Sequence, residues 1–391
     1  MKIPYGLHYI NKSDINSVTR ALNKNWITQG PIIKDFENKI CKILKVKYAV
    51  AVSSCTAGLH ISLQAIKNEN KRKKVITSPI TFVSTSNVII HNNLKPDFVD
   101  INNQSLNICT KTLKKKIKNN KDILAVIPVH LAGYASDSLE INRICKEKKI
   151  KIIEDAAHSF GAKYPDGSWV GSCKYSDISV FSFHPVKSIT TGEGGMITTN
   201  SKELYEKILR LRTHGIEKNK KNWKNKNLAF TNNRANPWYY EMQDLGLNYR
   251  LTDFQSALGL SQLKKLKFFL TYREKIAKKY DIEFCKLKNV FIPQFNKRKF
   301  SSNHLYILNI DFERLKISRN EFMYKLLKKN IVTQVHYIPV PLHPYYKKKY
   351  TMKNLNTAAK YFSQAISLPI HCRLSSKHQN YIIKTVKKYL N

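Results

Sequence analysis

The chain has 391 residues, 42% of them hydrophobic, which is enough for a large core and more than one domain. Its formal net charge is +41, from 68 lysines and arginines against 27 acidic residues. No apolar run reaches transmembrane length, Met1 to Ile10 lacks a signal-peptide core, and seven scattered cysteines show no metal-type pairing. A soluble cytoplasmic chain with no membrane segment, no metal and no disulfide framework is expected.

So basic a chain invites a reading as a nucleic-acid or anionic-membrane binder. The lysines, however, are spread over nearly every helix-length stretch, as at 111–118, 146–149 and 264–267. No zinc-finger, helix-turn-helix or RNA-binding aromatic pattern accompanies them. General compositional bias is therefore preferred, with a basic, non-catalytic nucleic-acid-binding or regulatory protein as the alternative; no nucleic-acid or membrane partner is expected.

In chain order, strands are predicted at 48–53, 74–78, 97–100, 122–129, 151–154, 178–183 and 195–199. They are short, rich in Val and Ile, and bounded by Gly, Pro, Ser or Asn, as suits strands buried on both faces. Helix-length stretches such as 57–66 and 137–148 lie between them, so the class is α/β with a mostly parallel sheet. A helix follows at 201–214, then a Lys/Asn-rich stretch at 217–234 that reads as an exposed loop or insertion. Helical periodicity returns at 254–270 through Leu258, Leu263 and Leu266. Beyond it, strands at 304–310 and 332–335 and helices at 319–328 and 380–389 suggest a smaller α+β region.

Ligands on such sheets bind beyond the carboxyl ends of the strands, where Ser54, Asp155 and Ser182 fall. Asp155 ends the apolar run Ile152-Ile153-Glu154, and its neighbour Glu154 must point to the opposite face of the strand. Lys187 follows Ser182-Phe183-His184-Pro185-Val186 and precedes Thr191-Gly192-Glu193-Gly194-Gly195, away from the lysine-rich faces. An amine, a carboxylate and a hydroxyl at strand ends are what pyridoxal phosphate (PLP) requires: a covalent link, a partner for the ring nitrogen, and a phosphate donor. Thr56 and the amides opening the helix at 57–66 are further phosphate donors, although Ser53-Ser54-Cys55-Thr56 also reads as an ordinary N-cap. Phe82, in Pro79-Ile80-Thr81-Phe82, is either a ring-stacking aromatic or a core residue.

Taken together, these stretches resemble the DegT/DnrJ/StrS family of sugar-nucleotide aminotransferases, within PLP fold type I. The resemblance runs nearly end to end, through Trp26 to Pro31, Ala51 to Ser54, Glu154 to His158, Ser182 to Lys187, Gly192 to Gly195 and Leu245 to Arg250. Pro79 to Val83, His184 to Gly195 and Val335 to Val340 are closer still to the members that act in pseudaminic acid synthesis. The resemblance implies a large PLP-binding domain at 1–250, with 1–30 packing on a smaller α+β domain at 251–391. It implies Lys187 as the Schiff-base lysine and Asp155 as the pyridinium partner. His158 falls near the ring hydroxyl and Phe82 on the ring face. Cys55, Thr56, Ser182 and, from a neighbouring subunit, Asn248 fall at the phosphate. Tyr5, Thr28, Gln29, Arg250 and His336 are implied substrate contacts, in a homodimer with shared active sites. The expected reaction uses L-glutamate to aminate a UDP-linked 4-keto-6-deoxy-N-acetylhexosamine, with perosamine- or bacillosamine-type keto sugars as alternatives. Cys55 departs from the family's usual small Gly or Asn, and the segment at 217–237 looks longer than in typical members.

Overall fold

Val- and Ile-rich runs with no polar face must be covered on both sides. In the computed structural model, which describes residues 2–67, 72–118 and 120–390, they form one seven-stranded sheet. Its strands are β1 (Tyr48–Val52), β2 (Lys74–Thr77), β3 (Lys95–Phe98), β4 (Ile123–Ile127), β5 (Lys151–Asp155), β6 (Ile178–Ser182) and β7 (Gly195–Thr199). They lie in the order β1-β7-β6-β5-β4-β2-β3. Only β7 is antiparallel to its neighbours; the other pairs are parallel. The carboxyl ends of β1, β2, β4, β5 and β6 therefore share one edge of the sheet.

Four helices in the first quarter of the chain set up that edge: α1 (Lys12–Leu22), α2 (Pro31–Leu44), α3 (Cys55–Ile66) and α4 (Ser84–His91). Val50, Val52, Val180 and Ile197 pack on Leu59, Ile61 and Leu63 of α3, while Ala49, Ala51, Phe181 and Met196 pack on Phe36, Ile40 and Leu44 of α2. A Cβ on Gly58 would lie 2.6 Å from Val180 Cγ1, so glycine lets α3 sit close on the sheet. The start of α2 has no side-chain cap of its own. Buried Asp253 supplies one from far along the chain, accepting from Gly30 N (2.7 Å) and Ile32 N (3.0 Å).

A second core lies around the antiparallel strands Val290–Phe291, Tyr306–Ile310 and Ala365–Leu368. The N-terminal residues run over it: Ile3 belongs to this core and bridges Ile331, and Ile370 N donates to Tyr5 O at 3.0 Å. Helix α1 instead packs on the helix Asp253–Leu263.

Three expectations need correction. The predicted strand at 332–335 does not form, because the segment switches partners: Val332 N bonds Ile3 O, and Gln334 exchanges bonds with Ser367. The single helix at 254–270 is two, Asp253–Leu263 and Leu266–Phe284. The first buries Ser256, Ala257, Ser261, Gln262 and Leu263 and leaves Leu258 half-buried; the break falls at Lys264–Lys265, between the buried Leu263 and Leu266, where the leucine spacing does not mark it. The stretch at 217–234 is no plain loop. Ile216–Glu217 pairs with Glu241–Met242, Phe230–Thr231 with Arg234–Ala235, and Trp223, Ala229 and Tyr239 make a small core. Among the described residues no helix is long and apolar enough to cross a membrane.

At the end of β5, Glu154 and Asp155 diverge as strand geometry demands. Fully buried Glu154 accepts from Ser138 (2.9 Å), Tyr164 (2.7 Å), Ser176 (3.0 Å) and Ser179 (2.5 Å), with His130 Nε2 at 3.3 Å. Burial pushes its carboxyl up, but His130 and the hydroxyl donors outweigh this and hold it at about 2, below the ordinary 4.5. A carboxyl lowered by folding stabilises fully above its unfolded value and loses that contribution as pH falls through its folded one. Glu154→Gln is thus expected to lower stability by about 3 kcal/mol at neutral pH. It should also flatten the loss of stability below about pH 4.5. Urea midpoints measured across the acid range check both; an unchanged acid limb would show that the network carries no charge.

Candidate active site

Because β1, β2, β4, β5 and β6 end on one edge, the residues just past them converge on a cavity of about 800 Å³. Of the residues singled out in the sequence, Tyr5, Cys55, Thr56, Phe82, Asp155, His158, Ser182, Lys187 and His336 line it. The C-terminal segment 334–338 closes the opposite side through Gln334, His336, Tyr337 and Ile338.

Asp155 forms the floor. Its Oδ2 accepts from Thr85 Oγ1 at 2.6 Å and its Oδ1 from Ala157 N at 3.1 Å, and Thr85 Oγ1 lies 2.7 Å from Thr81 Oγ1. Burial raises the carboxyl above its ordinary value, although Thr85, Ala157 and Lys187 pull the other way. Unlike Glu154, it is short of partners.

Lys187 is carried on the loop between β6 and β7, which folds back on itself: Phe183 N donates to Gly194 O and Thr191 N to Phe183 O. Its Nζ stands 3.4 Å from His304 Nε2. Burial lowers the amine to about 8; Asp155 opposes the shift and Arg273 adds to it. Cys55 exerts no counter-charge in this range, because burial keeps its thiol protonated well above the usual value.

Three histidines surround the amine, and burial, with the charge of Lys187, holds each of them low: His158 and His304 well below the ordinary range, His336 at about 3. His158 Nδ1 accepts from Ala132 N at 3.3 Å, which leaves its proton on Nε2, 3.0 Å from Tyr337 OH. His304 stacks at a tilt on His158, ring centroids 4.4 Å apart. His336 Nδ1 lies 2.8 Å from Ser367 Oγ and its ring beside Tyr5.

The far end of the cavity is built for an anion. Helix α3 begins at Cys55, two residues before the predicted start, with Ser54 as N-cap accepting from Ala57 N at 3.0 Å. The N–H groups of Cys55 and Thr56 have no carbonyl a turn earlier, and the hydroxyls of Thr56 and Ser182 stand beside them. A Cβ on Gly195 would come within 2.7 Å of the Ser54 backbone, so glycine at the start of β7 lets this turn close up. Phe82, 58% exposed, presents its ring to the cavity.

These residues fit PLP. Asp155 lacks the cation that a protonated ring nitrogen provides, and Lys187 is partly unprotonated near neutrality. The α3 terminus has free amides and hydroxyls of the kind a phosphate requires, and Phe82 offers a free face for a flat ring.

Thr28, Gln29, Asn248 and Arg250 do not reach the cavity of their own chain. Thr28 bridges Thr252, Arg250 bridges Val52 and Asn248 bridges Thr213, which sets these residues around the outer edge of β1. Thr85, His304 and Tyr337 were not singled out in the sequence. Thr85 lies in the first turn of α4 and meets Thr81 from the turn before it, a contact that no sequence spacing announces; His304 had no signal beyond its place at the start of a predicted apolar strand.

The Thr85 hydroxyl gives a direct check on the floor of the site. A hydrogen bond to a charged group contributes about 1.5–3 kcal/mol, so Thr85→Val should weaken PLP binding by roughly tenfold or more. Fluorescence titration of the cofactor measures this. Affinity equal to that of the unaltered protein would show that Asp155 needs no such support.

Comparison with known proteins agrees with this geometry. The model of the DegT/DnrJ/EryC1/StrS aminotransferase family matches residues 8–387. The UDP-4-amino-4,6-dideoxy-N-acetyl-beta-L-altrosamine transaminase of Campylobacter jejuni serotype O:23/36 is 36% identical over 385 residues, covering 98% of this chain and 96% of that protein. The structure of Helicobacter pylori PseC, an aminotransferase of pseudaminic acid biosynthesis, superposes with a TM-score of 0.90 at 31% identity over 100% of this chain and 99% of its own. The PLP-form structure of the putative sugar aminotransferase Spr1654 of Streptococcus pneumoniae gives 0.87 at 28% identity over the whole of both chains. The chain belongs to the DegT/DnrJ/EryC1/StrS aminotransferase family.

Proposed function

We propose that the protein uses PLP to move an amino group from L-glutamate to C4 of a UDP-linked 4-keto-6-deoxy-N-acetylhexosamine, forming the 4-amino-4,6-dideoxy-N-acetyl-β-L-altrosamine nucleotide. One observation carries the cofactor and reaction type: Lys187, Asp155 and the α3 terminus open into a single cavity. The substrate rests on the relatives that act on it or in its pathway.

When bound, PLP supplies an aldehyde that condenses with amines and a ring that draws electrons from the attached carbon. Asp155 would hold the ring nitrogen protonated, and Phe82 would cover the ring. His158 would meet the ring hydroxyl, while Cys55 and Thr56 amides with the Thr56 and Ser182 hydroxyls would take the phosphate. Lys187 Nζ would serve as the base. With its amine at about 8, a fair fraction is neutral near pH 7.5, so Nζ can take a proton from glutamate Cα and later deliver one to the sugar C4. Tyr5 and His336 lie where the sugar would enter. In this reading residues 1–250 hold the cofactor, 251–391 close over it, and 1–30 tie the two.

Mass spectrometry on a panel of UDP- and GDP-linked 4-keto sugars with glutamate tests the reading. The UDP-linked β-L-arabino 4-ketose should be aminated with equimolar 2-oxoglutarate. Borohydride should fix the cofactor to the peptide bearing Lys187, and Lys187→Ala should abolish turnover. Amination of GDP sugars alone would move the substrate to the perosamine type; labelling of another lysine would remove the assignment of the base.

We further propose a homodimer in which Thr28, Gln29, Asn248 and Arg250 complete the partner's site. Support comes from the apolar side chains exposed near them: Trp26, Ile27, Trp238, Met242, Leu245 and Leu247. Mixing Lys187→Ala chains with Asn248→Ala/Arg250→Ala chains and allowing exchange gives hybrids with one doubly altered and one intact site. Activity should therefore return, up to one site per hybrid. A mixture as inactive as its parents despite proven exchange would mean that the loop serves its own chain.

A further inference from the structure

Arg273, on the helix Leu266–Phe284, is 2% exposed, yet among the described residues no carboxylate pairs with it. Three other covered arginines are neutralised by a carboxylate, Arg298 by Asp281, Arg212 by Glu37 and Arg210 by Asp244, all at 2.8–2.9 Å. Arg273 instead donates to three main-chain carbonyls. Its Nη1 reaches His304 O (3.3 Å) and Ile370 O (3.0 Å), and its Nη2 reaches Val186 O (3.4 Å). Its Nε finds no acceptor.

The three carbonyls are well chosen. Val186 precedes Lys187, and His304 is the residue whose ring faces the lysine amine. Ile370 N holds Tyr5 O, so the same guanidinium reaches one step from a further wall of the cavity. A buried cation without a counter-ion is expensive, and a neutral amide could supply part of this bonding more cheaply. Charge is what the amide would lack. Cys372 does not neutralise Arg273, since burial raises its thiol even though the guanidinium pulls it down.

We propose that Arg273 is a positioning residue for Lys187: it fixes the Val186–Lys187 backbone against the His304 backbone and sets an uncompensated positive charge near the lysine amine, keeping that amine aimed at the cavity and ready to act as a base. The proposal rests on the reading of Lys187 as the reacting amine. The other groups facing the amine are Asp155, the Cys55 thiol and the rings of His158, His184, His304 and His336, and Asp155 is the only carboxylate among them. Around Arg273 itself stand Cys372 and the His371 ring, which burial and Arg273 hold at about 4. The bland alternative is a main-chain tie with no influence on the amine.

Competitive acylation of the full chain over a pH series, with the Lys187 peptide followed by mass spectrometry, reads the titration midpoint of the amine without cofactor or turnover. Arg273→Gln should raise that midpoint by roughly one unit, because a cation that disfavoured the protonated amine is gone. Arg273→Lys keeps the charge but cannot span three carbonyls. Its midpoint should stay within about 0.3 units of the unaltered one while kcat of the loaded enzyme falls about tenfold or more. A folded Arg273→Gln chain, by circular dichroism, with an unmoved midpoint overturns the electrostatic part. Should that variant not fold, Arg273→Lys decides: unchanged kcat and KM overturn the positioning part. Borohydride labelling of the unaltered protein separates the two readings, since a label away from Lys187 removes the base assignment and leaves the Arg273–Lys187 coupling standing or falling on its own midpoint.

Discussion

Two consecutive carboxylates end one buried strand, and the rest of the site follows from how the fold treats each. A strand sends neighbours to opposite faces, so neither Glu154 nor Asp155 can avoid burial and neither can help the other. On the back of the sheet, four hydroxyl donors and His130 satisfy Glu154 so well that it stays ionised. On the front, Asp155 has one threonine, one amide and a lysine whose amine burial has lowered to about 8. The imbalance leaves the front with an electrostatic need that a cationic ring nitrogen meets. A fold that satisfied both carboxylates equally would have a stable strand end and no reason to bind such a ring.

The same sheet explains which parts of the site were legible in the sequence. Asp155, Ser182 and Lys187 lie within a few residues of strand ends, and strand ends can be read from short apolar runs. The seven strands, the divergence of Glu154 and Asp155, and a helix opening beside Thr56 were all local enough to infer. Thr85, His304, Tyr337 and Arg273 were not, because each arrives by tertiary packing from another element. Helix α2 was legible and passed over: Pro31 marks its start, and Ile33, Phe36, Ile40 and Leu44 keep helical spacing. The strand expected at 332–335 fails for the opposite reason. Its apolar residues suit a strand, but its hydrogen bonds are divided between Ile3 and Ser367, and no residue pattern announces a change of partner.

The charge of the chain is resolved by where the charges are not. Among the described lysines and arginines only Lys187 lines the cavity, and the three histidines around it are held neutral. An abundant surface cation is thus excluded from the one place where a second ammonium would compete with Lys187 for the carbonyl chemistry assigned to it. Within one chain, an anion would meet helix amides and hydroxyls, which bind without titrating near neutrality and without displacing the lysine. Arg250 stays on the outer edge of β1, beyond the reach of its own cavity. A site that must admit a doubly charged nucleotide yet keep one amine uncharged is best served by cations brought from outside, after the inner wall is complete. The proposed sharing of sites between two chains has that arrangement.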